Sequence, residues 1–384
     1  MRVRRPGPLR YLIAHPGAEL YGSDRVMLET VVALIEGSAE VTVTLPETGP
    51  LVDLLVGAGA TVRFDPALVL RKSLLRPKNG IASIRAAARG LRASRRVLRQ
   101  VQPDAVYIST MTLPLWPLVT RFARVPSLLH LHEGEQGASR LVKWAIYAPA
   151  AGVTAIVVNS EFSRDVLRQA FPRLAERAQV VYNGVAGPPA VSPPPADLGD
   201  IVRLAYIGRL SPRKGPDLLI EALARLRDPR IHVDLIGAVF PGYEWYEQDL
   251  RRRIADHALG ERVRLLGFRP DVWHAVEDAA VVVVPSRLDE PFGNTAVEGT
   301  LAARVVLVSD TSGLREATEG VATAIRFAPD SVDALCEAIT FAVERWDELQ
   351  PQLAAEADAA ARRFAPARYR AQIATCLSQL SRRS

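Results

Sequence analysis

Short apolar runs recur along the whole chain and are separated by stretches in which apolar positions fall at helical spacing. In the first half the pattern predicts strands at Tyr11–His15, Val41–Leu45, Thr61–Phe64, Ala105–Ser109, Leu128–Leu131, Ala155–Asn159 and Gln179–Tyr182. In the second half it predicts them at Arg203–Gly208, His232–Ile236, Arg264–Leu266, Val281–Val284, Val305–Val308 and Ala324–Phe327. Most of these runs are continuously apolar rather than alternating, as strands covered on both faces require. Helices between parallel strands imply right-handed crossovers. Each half therefore reads as an α/β, Rossmann-like, doubly wound domain.

The halves are separated by Ala186-Gly-Pro-Pro-Ala-Val-Ser-Pro-Pro-Pro195. Proline lacks the N–H and fixes φ, so this segment is neither helix nor central strand, but a stiff linker or a surface strap. The expected organisation is a first domain over residues 1–185, a Pro-rich linker over 186–200, and a second domain over 201–365. A helix over 366–384 would pack back toward the first domain. Two such domains facing across a cleft suit group transfer with closure around the reactants.

Composition narrows the class. With 48% hydrophobic and 23% charged residues, 384 residues support two large cores and a soluble surface. The two cysteines, Cys336 and Cys376, have no metal-like spacing and point to a reducing compartment. The basic segment Met1–Arg10 is not followed by a long apolar run, so no signal peptide is expected. The most apolar window, Trp144–Val158, is too short to span a bilayer and is broken by Pro149 and Gly152. A cytoplasmic location is expected.

The net charge of +6 is unevenly spread. Arg71, Lys72, Arg76, Lys78, Arg85, Arg89, Arg92, Arg95, Arg96 and Arg99 occur with no acid among them. One reading is a solvated helix face. The other is a surface that meets anions. Leu74, Leu75, Ile81, Ile84, Leu91, Val97 and Leu98 supply an apolar complement, which favours anionic lipid headgroups. An anionic membrane surface, the inner face of the plasma membrane, is thus the partner suggested by Arg71–Arg99. With no nucleic-acid motif and no aromatic residue in the stretch, no nucleic-acid partner is expected.

Candidate chemistry lies in two blocks. Ser286-Arg-Leu-Asp-Glu-Pro-Phe-Gly-Asn-Thr-Ala-Val-Glu298 follows the apolar run Val281–Val284 and opens a helix. Strand, turn and helix start form the ligand crevice of a parallel sheet, and N–H groups at the helix start attract anions. Glu290 and Glu298 suit hydroxyl groups, so the block fits an anion joined to a polyol, as in a nucleotide sugar. Tyr206-Ile-Gly-Arg-Leu-Ser-Pro-Arg-Lys-Gly-Pro-Asp-Leu-Leu-Ile-Glu-Ala-Leu223 places Arg209, Arg213 and Lys214 on a strand-to-helix loop, where cations fit a diphosphate.

Together the blocks resemble the retaining GT-B glycosyltransferases of glycosyltransferase family 4, also called group 1. That family shows a Gly-Arg-Leu…Lys-Gly loop, then Glu-Pro-Phe-Gly, then a second Glu. Val181-Tyr-Asn-Gly-Val185, Asn159-Ser-Glu-Phe-Ser163, Leu266-Gly-Phe268 and Ser312-Gly-Leu-Arg-Glu316 are further pieces similar to it. The resemblance implies that Arg209 and Lys214 neutralise the leaving diphosphate and that Glu290 binds donor-sugar hydroxyls. Glu298 would bind the ribose. Backbone groups at Phe292, Gly293, Asn294 and Thr295 would hold sugar and phosphate. Gly208, Gly267, Phe268 and Arg269 would line the donor, the last three near the base.

In the first half, Leu129-His-Leu-His-Glu133 offers His132, which the resemblance places at the donor sugar, in preference to His130. Glu133 reads as an acceptor contact or base, or as a helix cap. The loop His15–Arg25 resembles the family's glycine-containing loop for acceptor and phosphate. Its Gly22 would permit close backbone approach, and Ser23 would cap the helix.

The implied function is a retaining transfer of a hexosyl group from a nucleoside diphosphate sugar to an acceptor hydroxyl, such as a lipid-linked or cell-envelope glycan. A soluble small-molecule acceptor or a secreted polysaccharide is the alternative acceptor. No Asp-x-Asp pair occurs, so metal independence and no cofactor are expected. Competing readings are a non-catalytic nucleotide-sugar or glycan-binding protein of the same fold, and a sugar-phosphate phosphorylase or epimerase. Trp245, Tyr246 and Trp273 read as packing anchors.

Overall fold

The computed structural model describes residues 7–70, 80–134 and 140–382. The chain forms two units, one of residues 1–184 with 366–384 and one of residues 185–365.

In the first unit the elements run β1 (Arg10–Ala14), α1 (Gly22–Glu36), β2 (Glu40–Leu45), α2 (Leu51–Gly57), β3 (Thr61–Phe64) and α3 (Gly80–Val101). They continue with β4 (Ala105–Ile108), α4 (Leu115–Ala123), β5 (Ser127–Leu131), α5 (Arg140–Tyr147), β6 (Ala155–Val158), α6 (Glu161–Ala170), α7 (Pro172–Glu176) and β7 (Ala178–Val180). The sheet is parallel in the order β3-β2-β1-β4-β5-β6-β7. Each predicted strand is present, with ends shifted by at most two residues.

The second unit contains β8 (Val202–Ile207), α8 (Pro216–Arg225), β9 (Ile231–Ile236), α9 (Glu244–Asp256), β10 (Val263–Gly267), α10 (Trp273–Glu277), β11 (Val281–Val284) and α11 (Asn294–Leu301). It ends with β12 (Val305–Ser309), α12 (Ser312–Ala317), β13 (Ala324–Phe327), α13 (Val332–Glu344), α14 (Trp346–Leu349) and α15 (Leu353–Arg363). Its sheet is also parallel, in the order β10-β9-β8-β11-β12-β13. The order reverses between β1 and β4 in one sheet and between β8 and β11 in the other. At such a point the loops leaving the two strands diverge and open a crevice at the carboxyl edge.

The continuous apolar runs explain the layering. Every residue of β4, β11 and β12 is buried. A fully buried valine contributes about 2 kcal/mol. The last helix, α16 (Pro366–Arg382), belongs to the first unit. Tyr369, Ile373 and Leu377 on it are buried in the core with Val26, Val31 and Leu34 of α1. Arg370 adds ion pairs to Glu29 (3.0 Å) and Glu36 (2.6 Å).

The Pro-rich segment is a strap on the second unit. The buried Arg304 holds it, donating from Nη1 to the carbonyl of Ser192 at 3.0 Å. Among the aromatic residues expected as anchors, Tyr246 is 3% exposed but Trp245 is 55% exposed. Successive residues of a helix point about 100° apart, so α9 turns one ring inward and its neighbour out.

The arginine-rich stretch divides in the same way. Arg71, Lys72, Leu74, Leu75, Arg76 and Lys78 lie outside the described residues, as does the side chain of Ile81. On α3, Arg85, Arg89, Arg92, Arg95, Arg96 and Arg99 are exposed. Val97 and Leu98, expected in the membrane-facing complement, instead pack into the core of the unit, because α3 covers the sheet with that face. Ile84 is exposed.

Candidate active site

The crevice between β8 and β11 is built from both blocks singled out in the sequence. After β8, Gly208 takes φ +145° and its N–H bonds the carbonyl of Ile236. The Arg209 guanidinium stacks on the Phe240 ring, 3.3 Å from its centroid. A turn follows, in which the carbonyl of Ser211 accepts from the N–H groups of Lys214 and Gly215. Gly215 has φ +69°, and a Cβ there would lie 2.2 Å from the carbonyl oxygen of Pro285. Only glycine fits, so the loop of Lys214 is pressed against the residue that follows β11.

After β11, Glu290 is 6% exposed. Its Oε1 is 2.9 Å from Lys214 Nζ and accepts from Ser286 Oγ at 2.8 Å. Burial alone would raise the Glu290 carboxyl. The Lys214 ammonium and Arg213, with the hydrogen bonds from Lys214 and Ser286, more than offset that and hold it below its ordinary value. The carboxylate is therefore charged and oriented at neutral pH. In the first turn of α12, a Cβ on Gly313 would lie 1.9 Å from the Glu290 carbonyl oxygen.

Gly293, at φ +113°, turns the chain into α11. Asn294, Thr295 and Glu298 are half-buried, and Thr295 Oγ1 reaches the carbonyl of Ile207 at the end of β8 (3.4 Å). Asn294 and Glu298 lie one turn apart on one helix face. The Phe292 ring is buried edge-on against Phe364, with centroids 5.6 Å apart, so its side chain is a packing anchor for the loop. Gly267, Phe268 and Arg269 are exposed at the end of β10, on the same sheet edge.

Two residues to which the sequence assigns no role tie these loops together. Arg287 Nη1 and Nη2 donate to the two oxygens of Asp217, each at 2.7 Å. Asp217 lies in the first turn of α8 and Arg287 on the loop after β11. Only the sheet order brings them together. Ser286, likewise without a role in the sequence, orients Glu290.

The first unit carries its own polar cluster at the β1/β4 crevice. His132 and Glu133 follow β5. Burial, and then the neighbouring His15, push the His132 imidazole down to about 3, with Asp24 opposing. His132 is thus neutral at physiological pH, and its buried Nε2 has no hydrogen-bond partner among the described residues. Burial raises the Glu133 carboxyl to about 7, against hydrogen bonds from the Thr110 hydroxyl and from the backbone of His132, Met111 and Glu133 itself. His130 instead lies within β5, fully buried, with Nδ1 2.7 Å from the Tyr107 hydroxyl. It is a core histidine.

At the start of α1 the cap differs from the expected one. Gly22 is the first helical residue, and the Asp24 carboxylate, not Ser23, returns to the chain by accepting from the N–H of Tyr21 at 2.8 Å. The other oxygen of Asp24 is 2.8 Å from His15 Nε2, while His15 Nδ1 is 2.7 Å from Ser109 Oγ. The sequence gives little warning of His15, Asp24 and Ser109. Their signals are the resemblance of the loop His15–Arg25 to the family's loop and the place of His15 and Ser109 at the ends of predicted strands.

Comparison with known proteins agrees with this architecture. Residues 199–363 match the family "Glycosyl transferases group 1", and residues 21–186 match "Glycosyltransferase Family 4". A lipopolysaccharide 1,2-N-acetylglucosaminetransferase of Salmonella typhimurium is 29% identical over 174 residues, 42% of this chain and 45% of that protein. A D-inositol 3-phosphate glycosyltransferase of Frankia alni is 33% identical over 186 residues, 44% of each chain. The chain thus spans less than half the length of these relatives. Anabaena HepE, crystallised with UDP and glucose, shares the fold with a TM-score of 0.80 and 23% identity, over 96% of this chain and 99% of its own. With one family match on each unit and the GT-B fold shared along nearly its full length, the chain belongs to the group 1 glycosyltransferases, glycosyltransferase family 4.

Proposed function

We propose that the protein transfers a hexosyl group from a nucleoside diphosphate sugar to an acceptor hydroxyl, with retention of anomeric configuration. The observation that carries this reading is the Lys214–Glu290 contact of 2.9 Å in the β8/β11 crevice. One partner suits a phosphate and the other suits sugar hydroxyls.

Breaking the glycosyl–phosphate bond builds negative charge on the departing diphosphate. Arg209 and Lys214 stabilise it where it develops, an effect of about 3–4 kcal/mol for one well-aimed donor. Glu290 accepts hydrogen bonds from hydroxyls of the donor sugar, Glu298 from the ribose, and the segment Gly267–Arg269 contacts the base. The acceptor oxygen bonds to the anomeric carbon on the face from which the phosphate leaves. Its proton passes to the departing phosphate oxygen, so no covalent enzyme intermediate is needed. Uncharged, His132 serves as a hydrogen-bonding group rather than a counter-ion.

The acceptor class is read from the surface and from relatives. The Salmonella relative is named for transfer to lipopolysaccharide and the Frankia relative for transfer to an inositol phosphate. The exposed arginines of α3 favour an acceptor carried on lipid at an anionic surface, a cell-envelope glycan. No helix among the described residues is long and apolar enough to cross a membrane, so such association would be peripheral. Flotation with vesicles containing anionic lipid at low salt tests it; failure to float removes this acceptor class.

The transfer itself is tested by thermal stabilisation with UDP-, GDP- and ADP-sugars. NMR of the product formed from the stabilising donor then gives its anomeric configuration. Stabilisation by one donor class and a retained anomer support the reading. An inverted anomer, or no response to any donor, contradicts it.

A further inference from the structure

Arg287 is bonded at every nitrogen of its guanidinium. Nη1 and Nη2 hold Asp217 at 2.7 Å each, Nη1 also reaches the Pro212 carbonyl at 2.8 Å, and Nε reaches Asp330 at 2.6 Å. Its backbone N–H donates to the Arg213 carbonyl at 2.9 Å. In return Arg213 donates from Nη2 to the carbonyl of Asp289 at 2.6 Å. Asp217 Oδ1 also accepts from the Tyr246 hydroxyl at 2.6 Å. Burial would raise the Asp217 carboxyl, but the bonds from Arg287 and Tyr246 keep it below its ordinary value. The pair is therefore ionic, bidentate and shielded, the strong form of such a contact.

Its placement is what matters. Pro212 and Arg213 directly precede Lys214, and Asp217 follows it by three residues. Asp289 directly precedes Glu290, and Arg287 stands three residues before it. Arg287 thus staples the loop that leads into Glu290 to both flanks of Lys214.

We propose that Arg287 and Asp217 are positioning residues that hold the Lys214 ammonium at the Glu290 carboxylate before the donor arrives. The inference rests on the reading of Lys214 and Glu290 as donor-site residues, and neither proposed residue touches the donor. A lysine on an untethered loop must be ordered during the reaction; a tethered one is already in place. Misplacement of a reacting group by about 1 Å costs about a hundredfold in rate. A pair that merely stabilises the fold would affect melting but not the alignment of Lys214.

The test reads that alignment directly. The protein is labelled at glutamate side-chain carbons, and the Glu290 carboxyl is titrated by NMR in wild type, Lys214→Ala, Arg287→Met and Asp330→Asn. In wild type, against the upward push of burial, Lys214 and Arg213 hold Glu290 below its ordinary value. Arg287→Met is expected to raise it by about one pH unit, toward the value in Lys214→Ala. Asp330→Asn removes only the outer arm of Arg287 and leaves it unchanged. If Arg287→Met does not fold, Asp217→Asn gives the same readout. A folded Arg287→Met or Asp217→Asn variant whose Glu290 titrates as in wild type overturns the proposal. The titration uses no substrate, so its outcome holds even if the transfer reading fails. In turnover, Arg287→Met should lower kcat at least about tenfold while the donor KM moves less than about threefold. Loss of melting temperature with unchanged kcat would overturn it too.

Discussion

Lys214 and Glu290 leave different strands of one parallel sheet and meet at 2.9 Å across the point where its strand order reverses. The contact is asymmetric, since Glu290 is buried and Lys214 retains partial exposure. That leaves the cation open toward the crevice while its partner is fixed by Ser286.

Removing the cation should have two separable effects. Lys214→Ala lowers turnover by about a hundredfold or more, since a donor aimed at developing charge is lost. It also leaves a buried carboxylate without its main counter-ion. In wild type the folded-state value of Glu290 lies below the unfolded one, so its contribution to stability is present at neutral pH and fades as pH falls through the folded value. In the variant, burial dominates and the sign reverses, so stability falls as pH rises above about 4.5. Melting curves at pH 5 and pH 8 should show the variant losing more at pH 8.

Glu133 offers a pH test in the other unit. Its folded value is raised to about 7 from 4.5, so the folded state binds the proton more tightly than the unfolded chain. Stability is then full below about 4.5 and declines as pH rises through 7, by up to about 3 kcal/mol. Glu133→Gln, which stays neutral, should lose this slope. Denaturant unfolding at pH 5 and pH 8 checks it, and equal slopes in both proteins would refute the assignment.

Gly313 tests how tightly the Glu290 loop is held. Gly313→Ala places a methyl 1.9 Å from one backbone oxygen and 2.9 Å from the carbonyl carbon of Pro291. Neither atom belongs to a flexible side chain, so the loop must move, at a cost of about 3 kcal/mol. Both the melting temperature and kcat should fall. A fully active, equally stable variant would show that the loop is slack.

Much of this was legible in the sequence for identifiable reasons. Val281–Val284 and Val305–Val308 are apolar on both faces, so their strands and their parallel, covered sheet follow from pattern alone. Lys214 and Glu290 were visible because each stands on a loop between a strand and a helix. The Arg287–Asp217 pair was not, since neither residue signals a partner until the order of β8 and β11 is known. His15 and Asp24 were hidden likewise, because the β1/β4 reversal brings Ser109 to them. Trp245 and Val97 were misplaced for a different reason: apolar character does not tell which side of a helix faces the core.

Charge compensation by Arg209 and Lys214 predicts that the diphosphate needs no metal. Turnover measured in excess chelator should equal turnover with added magnesium or manganese. Loss in chelator, restored by either ion, would show that the two side chains do not suffice.

The central claim is that Lys214 and Glu290 act on one bound sugar phosphate, and a double-mutant cycle on kcat/KM for the donor tests it most directly. If they serve one transition state, Lys214→Ala combined with Glu290→Gln is little worse than the more damaging single variant. If the two losses multiply in full, the residues act independently and the claim is wrong.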